Sequence, residues 1–583
     1  MGLRRMTSRR PCLMRALAFM ASILSFILVV TCIAVVLHND LKRPPPPKNI
    51  IFMVSDGFGE AGLTLARLYK NTALFPRPRI NGQPAPMVPL NLDAFATGNS
   101  HTYSASSLVT DSAAGATAWS CAQKTDNLKV ATTVFEQPCG TLMEAAKASG
   151  MSTGVAVTSS VTDATPASFA THARRRKLEY SIALQFCTNR TADVILGGGL
   201  HFFAQQGLVG NCSGYPFVGN ASALAAATSA PLLGLFADGD LPWEIDRDNA
   251  TTPSLKAMAL KAVELLTQRS ARRGDGRGFF LVVEGSKIDK AAHPNDVGSH
   301  LREILAYDDA VGAMLNFARE DRQTLVLSTS DHETGGLSLG RGAIVGTPSA
   351  AEAAALVEAP LHTRSLIAEA EGILDTEYGI KLEVLTNQTA STEAMANLAL
   401  RAVGSPTGEE LAANATARLA LVGALELVLR THGGVGLLTA VEKGFLRETV
   451  ELYERHRDAQ GHDGEEWPLR PLGLYGIVRA LGSIVSARAK LGWSSFGHSA
   501  EDVKLHAYGS GAEYFHGALE NAEIGRRIAS LMGFDLQKTT ASLGTPLIAA
   551  QDRAGGWAQY ANWPAPSPAQ EQAAPSSREK VLD

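Results

Sequence analysis

Four short apolar runs, each ending abruptly in polar residues, set the pattern of this chain: Asn49 to Val54, Thr153 to Thr158, Phe279 to Val283 and Thr324 to Thr329. Their hydrophobicity is continuous rather than alternating. That fits strands covered on both faces and predicts a mostly parallel central sheet with helices on both sides, an α/β fold. The first run stops at Asp56, and the second is followed by Val161-Thr162-Asp163-Ala164-Thr165-Pro166. The third meets Glu284, then Asp289, Lys290 and His293, and the fourth delivers Asp331 and His332. In such sheets ligands bind beyond the carboxyl ends of the strands, where these groups gather. Between about 340 and 490 the pattern changes to Ala, Leu and Glu at helical spacing, as in Glu409 to Val428 and Gly436 to His456, which predicts a helical insertion. From 541 to the end, with Ala, Pro, Gln and Ser prominent after Gly555, the chain reads as a flexible tail.

Chemistry enters with Val109-Thr110-Asp111-Ser112-Ala113-Ala114-Gly115, which sets a serine beside an aspartate at the start of a small-residue helix. A helix N-terminus offers unpaired N–H groups and a positive dipole end, and Ala and Gly allow close approach, so Ser112 is placed as a nucleophile for phosphoryl transfer. The competing reading is an ordinary N-cap, a common role for Asp or Ser before an alanine-rich run. Charge arithmetic favours a site. Asp56, Glu284, Asp289 and Asp331 at one sheet edge repel one another and cannot all stay ionised without cations. Imidazole with carboxylate suits zinc, and all-oxygen sets with a threonine hydroxyl suit magnesium.

These segments, from about 48 to 340 and again from 493 to 513, resemble the metal-dependent alkaline phosphatases. The resemblance implies that Ser112 becomes a phosphoserine, with Asp111 beside it, and that Arg176 clamps phosphate. It implies two zinc ions and one magnesium ion. One zinc would be held by Asp56, Asp331 and His332, with Asp56 bridging to magnesium. The other would be held by Asp289, His293 and His498. Thr165 and Glu284 match the magnesium ligands, Asp163 its water shell, and Lys290 a contact to phosphate through water. The family's activity is hydrolysis of small phosphomonoesters, and its members form homodimers with a crown region, whose place the insertion takes. Glu333-Thr334 stands where the better-known members carry a second histidine.

The N-terminus predicts location. Five arginines, from Arg4 to Arg15, precede the uncharged stretch Ala16 to Leu37, which as a helix of twenty-two residues would span about 33 Å. The larger basic excess before the span places residues 1–15 in cytosol and the enzyme beyond a membrane. A single-pass type II protein is expected, its catalytic part luminal, as in a vacuole-like compartment, or extracellular. Residues 38–47, with Pro44 to Pro47, read as a stiff linker. Sequons at Asn189, Asn211, Asn220, Asn249, Asn387 and Asn414 all follow the span, and agree with a glycosylated ectodomain. Of six cysteines, Cys12 and Cys32 belong to the membrane end. The remaining four allow three connectivities, of which the sequence-local pairs Cys121–Cys139 and Cys187–Cys212 are favoured.

Length and charge complete the picture. At 583 residues, with 45% hydrophobic content and a net charge of −4, the chain can bury a large core and has no basic excess for nucleic acid. Ligand motifs from Asp56 to His498 must converge, so one catalytic domain from 48 to 540 is expected. Two rivals are a phosphodiesterase or sulfatase of the same superfamily, and a non-catalytic ectodomain that keeps metals for folding. Sulfatases need a formylglycine within a Pro-Arg signature and diesterases typically use threonine, so Ser112 with Arg176 favours monoesters.

Overall fold

Every residue of the Asn49–Val54 strand is buried, and alternate side chains serve two different cores. Ile51 and Met53 pack on one face with the helices Glu60–Tyr69, Leu255–Arg273 and Val297–Asp321. Ile50, Phe52 and Val54 pack on the other with Ser112–Ser120, Leu142–Ala148, Ala164–Ala170 and Asn521–Met532. This is why the apolar run is continuous: a strand buried on both faces has no position left for water. The computed structural model describes residues 46–543, apart from 75–78, 81–82, 85–86, 213, 275, 341–379, 407 and 456–471, with a few isolated positions before 46.

Ten strands form the main sheet: β1 (Asn49–Val54), β2 (Ala96–His101), β3 (Ser152–Ser160), β4 (Val194–Gly198), β5 (Phe217–Val218), β6 (Leu232–Leu235), β7 (Phe279–Glu284), β8 (Thr324–Thr329), β9 (Val503–Gly509) and β10 (Gly517–Glu520). Their spatial order is β10-β2-β9-β8-β1-β7-β3-β4-β6-β5. Only β9 runs against the rest, antiparallel to both β8 and β2. The four apolar runs are the adjacent central strands β8, β1, β7 and β3.

The insertion leaves and returns through two short antiparallel pairs, Leu337–Leu339 with Leu491–Trp493 and Glu333–Thr334 with His498–Ser499. Its described part is helical: Leu382–Asn387, Thr392–Ala402, Gly408–Ala413, Ala415–His432, Ala440–Arg455 and Leu472–Arg488. The helical stretch expected from Glu409 to Val428 is divided between two helices. Asn414 takes non-helical angles and accepts from the N–H groups of Thr416 and Ala417, so its side chain starts a new helix inside an apolar period that runs on unbroken.

Both disulfides join the sequence-local pairs, Cys121–Cys139 and Cys187–Cys212. At the far end the Leu536–Ser542 helix carries regular structure just past the expected boundary at 540. No helix among the described residues is long and apolar enough to cross a membrane. Most of the expected span at 16–37, most of the 38–47 linker and nearly all of the 541–583 tail lie outside the described residues.

Candidate active site

Strand register brings the candidate ligands together. Val54 pairs with Thr329 on one side and Glu284 on the other, and Glu284 pairs with Val157, so the carboxyl ends of β1, β8, β7 and β3 are level. Asp56 and Asp331 each lie two residues past such an end. Asp289 and His293 lie one turn apart, at the Lys287–Ala292 helix that follows β7. Thr165 is in the first turn of Ala164–Ala170. The approach is close enough to require glycine at two points. Gly57 has φ +74°, and a Cβ there would sit 2.5 Å from Asp289 Cα; one on Gly115 would sit 2.9 Å from Asp331 Cβ.

Ser112 is the first residue of its helix, and Asp111 is the N-cap, accepting from the Ala114 N–H at 3.0 Å. The capping and nucleophile readings therefore fall on different residues and coexist. No hydrogen bond among the described residues takes the N–H of Ser112 or Ala113. Ser112 Oγ lies 3.3 Å from His332 Nε2.

Three imidazoles are oriented by their second nitrogen. His293 Nδ1 donates to the Phe496 carbonyl at 2.7 Å and His498 Nδ1 to the Thr110 carbonyl at 2.8 Å, so Nε2 carries the lone pair of each neutral ring. His332 Nδ1 lies 3.2 Å from Thr334 Oγ1, whose single proton goes to Asp289 Oδ1 at 2.5 Å; the threonine therefore accepts from His332 and leaves Nε2 bare. Asp289, His293 and His498 bring one donor atom each within 4.8 Å of one another, as do Asp56, Asp289 and His332. Asp331 Oδ2 is 3.2 Å from His332 Nε2. Asp289 thus stands between the two clusters expected from the sequence.

The donor set fits metal ions. Asp56 Oδ1, Asp331 Oδ2 and Thr165 Oγ1 are buried without a hydrogen-bond partner, a costly state that a cation relieves. Burial and then the neighbouring Asp331, Asp289, Glu284 and Asp163 push the Asp56 carboxyl well above the usual range. Burial likewise raises Asp331 to about 7 and Glu284 to about 8. Burial alone would raise Asp289 as well, but His293, followed by His498 and His332, outweighs it and holds the group well below the usual range. Burial and the neighbouring His498 keep His332 neutral. Buried carboxyls whose ionised forms are disfavoured, facing the unprotonated His332 Nε2 and an imidazole, His293, that Asp289 pushes up against burial, are the condition a bound divalent ion resolves.

Beside this cluster lies a chain of opposite charges. Arg176 Nη1 donates to Asp111 Oδ2 at 3.1 Å and Nη2 to Asp163 Oδ1 at 3.0 Å, while Lys290 Nζ donates to Asp163 Oδ2 and Asp240 Oδ2, both at 2.7 Å. Lys290 and Arg176 oppose the effect of burial on Asp163 and hold it below the usual range. Sequence reasoning missed Thr334 and Asp240. Thr334 was visible only as a departure from a histidine pattern, and Asp240 sits in a loop after β6 with no motif around it.

Level strand ends carrying orphaned carboxylate oxygens and imidazoles, with a helix-borne serine beside them, make a candidate metal-assisted phosphoryl-transfer site. Residues 47–359 and 475–534 match the family model of alkaline phosphatase, and the gap falls within the helical insertion. The repressible alkaline phosphatase of Saccharomyces cerevisiae is 33% identical over 536 residues, covering 85% of this chain and 82% of that protein. Among solved structures, the cold-active alkaline phosphatase of Shewanella sp. aligns with TM-score 0.62 and 28% identity over 83% of this chain and 99% of that one. The Thermus thermophilus alkaline phosphatase aligns with TM-score 0.59 and 27% identity over 85% and 94%. The chain belongs to the alkaline phosphatase family and is a phosphoric monoester hydrolase.

Proposed function

We propose that this enzyme hydrolyses small phosphomonoesters through a phosphoserine at Ser112, with two zinc ions and one magnesium ion, on the non-cytosolic side of a membrane. The observation that carries the reading is the meeting of Ser112 Oγ with His332 Nε2 beside two orphaned carboxylate oxygens, Asp56 Oδ1 and Asp331 Oδ2. Asp56, Asp331 and His332 would hold one zinc, Asp289, His293 and His498 the other, and Asp56, Thr165 and Glu284 the magnesium, with Asp163 facing its water shell. When bound, such ions lower the pKa of hydroxyl groups and offset charge on phosphate and leaving oxygens.

The chain's own residues supply the rest. Ser112 Oγ gives its proton to solvent and forms a bond to phosphorus as the ester oxygen–phosphorus bond breaks and the departing alkoxide takes up a proton; water, losing a proton, then attacks phosphorus, and Oγ departs and is reprotonated. The unused Ser112 and Ala113 N–H groups and the helix dipole favour the phosphoryl oxygens. Arg176 spends one N–H of each Nη on Asp111 and Asp163, leaving the other on each for a two-point grip that lysine cannot reproduce. Lys290 adds positive charge at the same edge. Because recognition falls on phosphate, the alcohol portion stays in solvent and leaving-group specificity is broad.

The anchor is proposed at 16–37, with 1–15 cytosolic, the linker at 38–47, the catalytic domain at 48–540 with a crown-like insertion, and a homodimer as the assembled form. Two disulfides and six exposed sequon asparagines support an oxidising, non-cytosolic compartment. The test is Ser112→Ala in the full enzyme. Hydrolysis of an aryl phosphate should fall at least about a thousandfold, the phosphorylated peptide should vanish from acid-quenched digests, and metal content should hold. Retained turnover on monoesters, or a preference for diesters in the parent enzyme, would overturn the reading.

A further inference from the structure

Lys290 is held from two sides by carboxylates at equal distance, and only one of them, Asp163, belongs to the expected site. The other, Asp240, is fixed in its own right. Its Oδ1 accepts from the Ser160 N–H at 2.9 Å, and the neighbouring backbone is bonded to the ends of β3 and β4, Leu241 N to Thr158 O and Gly199 N to Gly239 O. Beneath it, the buried Lys287 donates to the Leu241 carbonyl and lies 3.7 Å over the Trp243 ring. Asp240 therefore stands on a braced loop, not on a mobile one.

Its charge matters more than its hydrogen bonds. Arg176 and Lys290 bring two positive charges, and Asp111, Asp163 and Asp240 bring three negative ones, so the linked network is net negative by one before phosphate arrives. Removing Asp240 alone would make it neutral. All the contact groups from Arg176 to Asp240 are partly open to solvent, so an incoming dianion meets this balance directly.

We propose that Asp240 is a positioning residue that draws the Lys290 ammonium away from the phosphate site and so limits how tightly inorganic phosphate, the product, is retained. The proposal rests on the phosphate-holding roles given above to Arg176 and Lys290. Asp240→Asn keeps an acceptor for the Ser160 N–H but removes the charge. In the full enzyme the inhibition constant for inorganic phosphate should fall about fivefold, the size expected of one partly exposed charge, and KM for an aryl phosphate should fall with it. In a Lys290→Met background the same substitution should act more weakly on both, because only the direct repulsion between the carboxylate and the dianion is then relieved. A residue that merely braces the loop would instead raise the inhibition constant or lower thermal stability and metal content.

The two readings fail differently. If Lys290→Met alone leaves phosphate inhibition unchanged, the role of Lys290 is wrong. If Lys290→Met weakens phosphate but Asp240→Asn does not tighten it, the present inference is wrong. Should Asp240→Asn fold poorly, Asp240→Ser gives the same comparison without the carboxylate.

Discussion

Thr334→Val tests how the two candidate ligand clusters are tied together. The threonine hydroxyl donates to Asp289 Oδ1 at 2.5 Å and accepts from His332 Nδ1, both buried, so one hydroxyl fixes the carboxylate between the clusters and the tautomer of an imidazole. Valine keeps the shape and removes both bonds. A hydrogen bond to a charged group contributes about 1.5–3 kcal/mol, and a buried N–H left unpaired costs a further ~1–3 kcal/mol. Part of this is recovered by relaxation, so the expected loss of metal affinity is about 10–100-fold, the usual range for removing a group that orients a ligand. Equilibrium zinc titration of the metal-free protein against a competing chelator reads it directly. Thr334→Ser should restore affinity to near the parent value. Zinc affinity of Thr334→Val within about twofold of the parent would refute the reasoning.

Two other perturbations have defined signs. Gly57→Ala places a Cβ 2.5 Å from Asp289 Cα at a φ of +74°, so calorimetry should show a loss of roughly 2–4 kcal/mol together with lower metal content. Burial lowers His300 and His506 to about 4 each. Below the unfolded value of about 6.5 the unfolded chain takes protons that the fold refuses, so stability is full above that pH and is lost down to about pH 4, by up to about 3 kcal/mol per histidine. Denaturant unfolding across pH should show this acid slope, and His506→Gln should reduce it; a stability independent of pH from 6.5 to 4 would contradict the burial argument.

Legibility in the sequence followed physical locality. The central strands could be read because burial on both faces makes them continuously apolar, and their ends carried Asp56, Glu284, Asp289 and Asp331 within a few residues. The flanking strands could not: β2 is Ala-Thr-Gly-Asn-Ser-His, mostly half-buried with Ser100 alone buried, and β9 mixes Lys504, His506 and Tyr508 among aliphatics. His498 was reachable only by resemblance, since its place depends on a two-residue pairing with Thr334 that closes the insertion. The closeness of the two clusters was also hidden. Asp289 joins both groups because the Gly57 turn lets β1 and the Lys287–Ala292 helix touch, and no spacing rule encodes that contact. Asp240 and Thr334 belong to loops whose partners are set only once the sheet has formed.

Anomalous diffraction at the zinc edge from crystals of the metal-loaded enzyme tests the central claim most directly. Two strong peaks are predicted, one among Asp289, His293 and His498 and one among Asp56, Asp331 and His332 beside Ser112 Oγ, with a lighter, non-anomalous ion at Thr165 and Glu284. Peaks elsewhere, or none at these side chains in an active preparation, would contradict it.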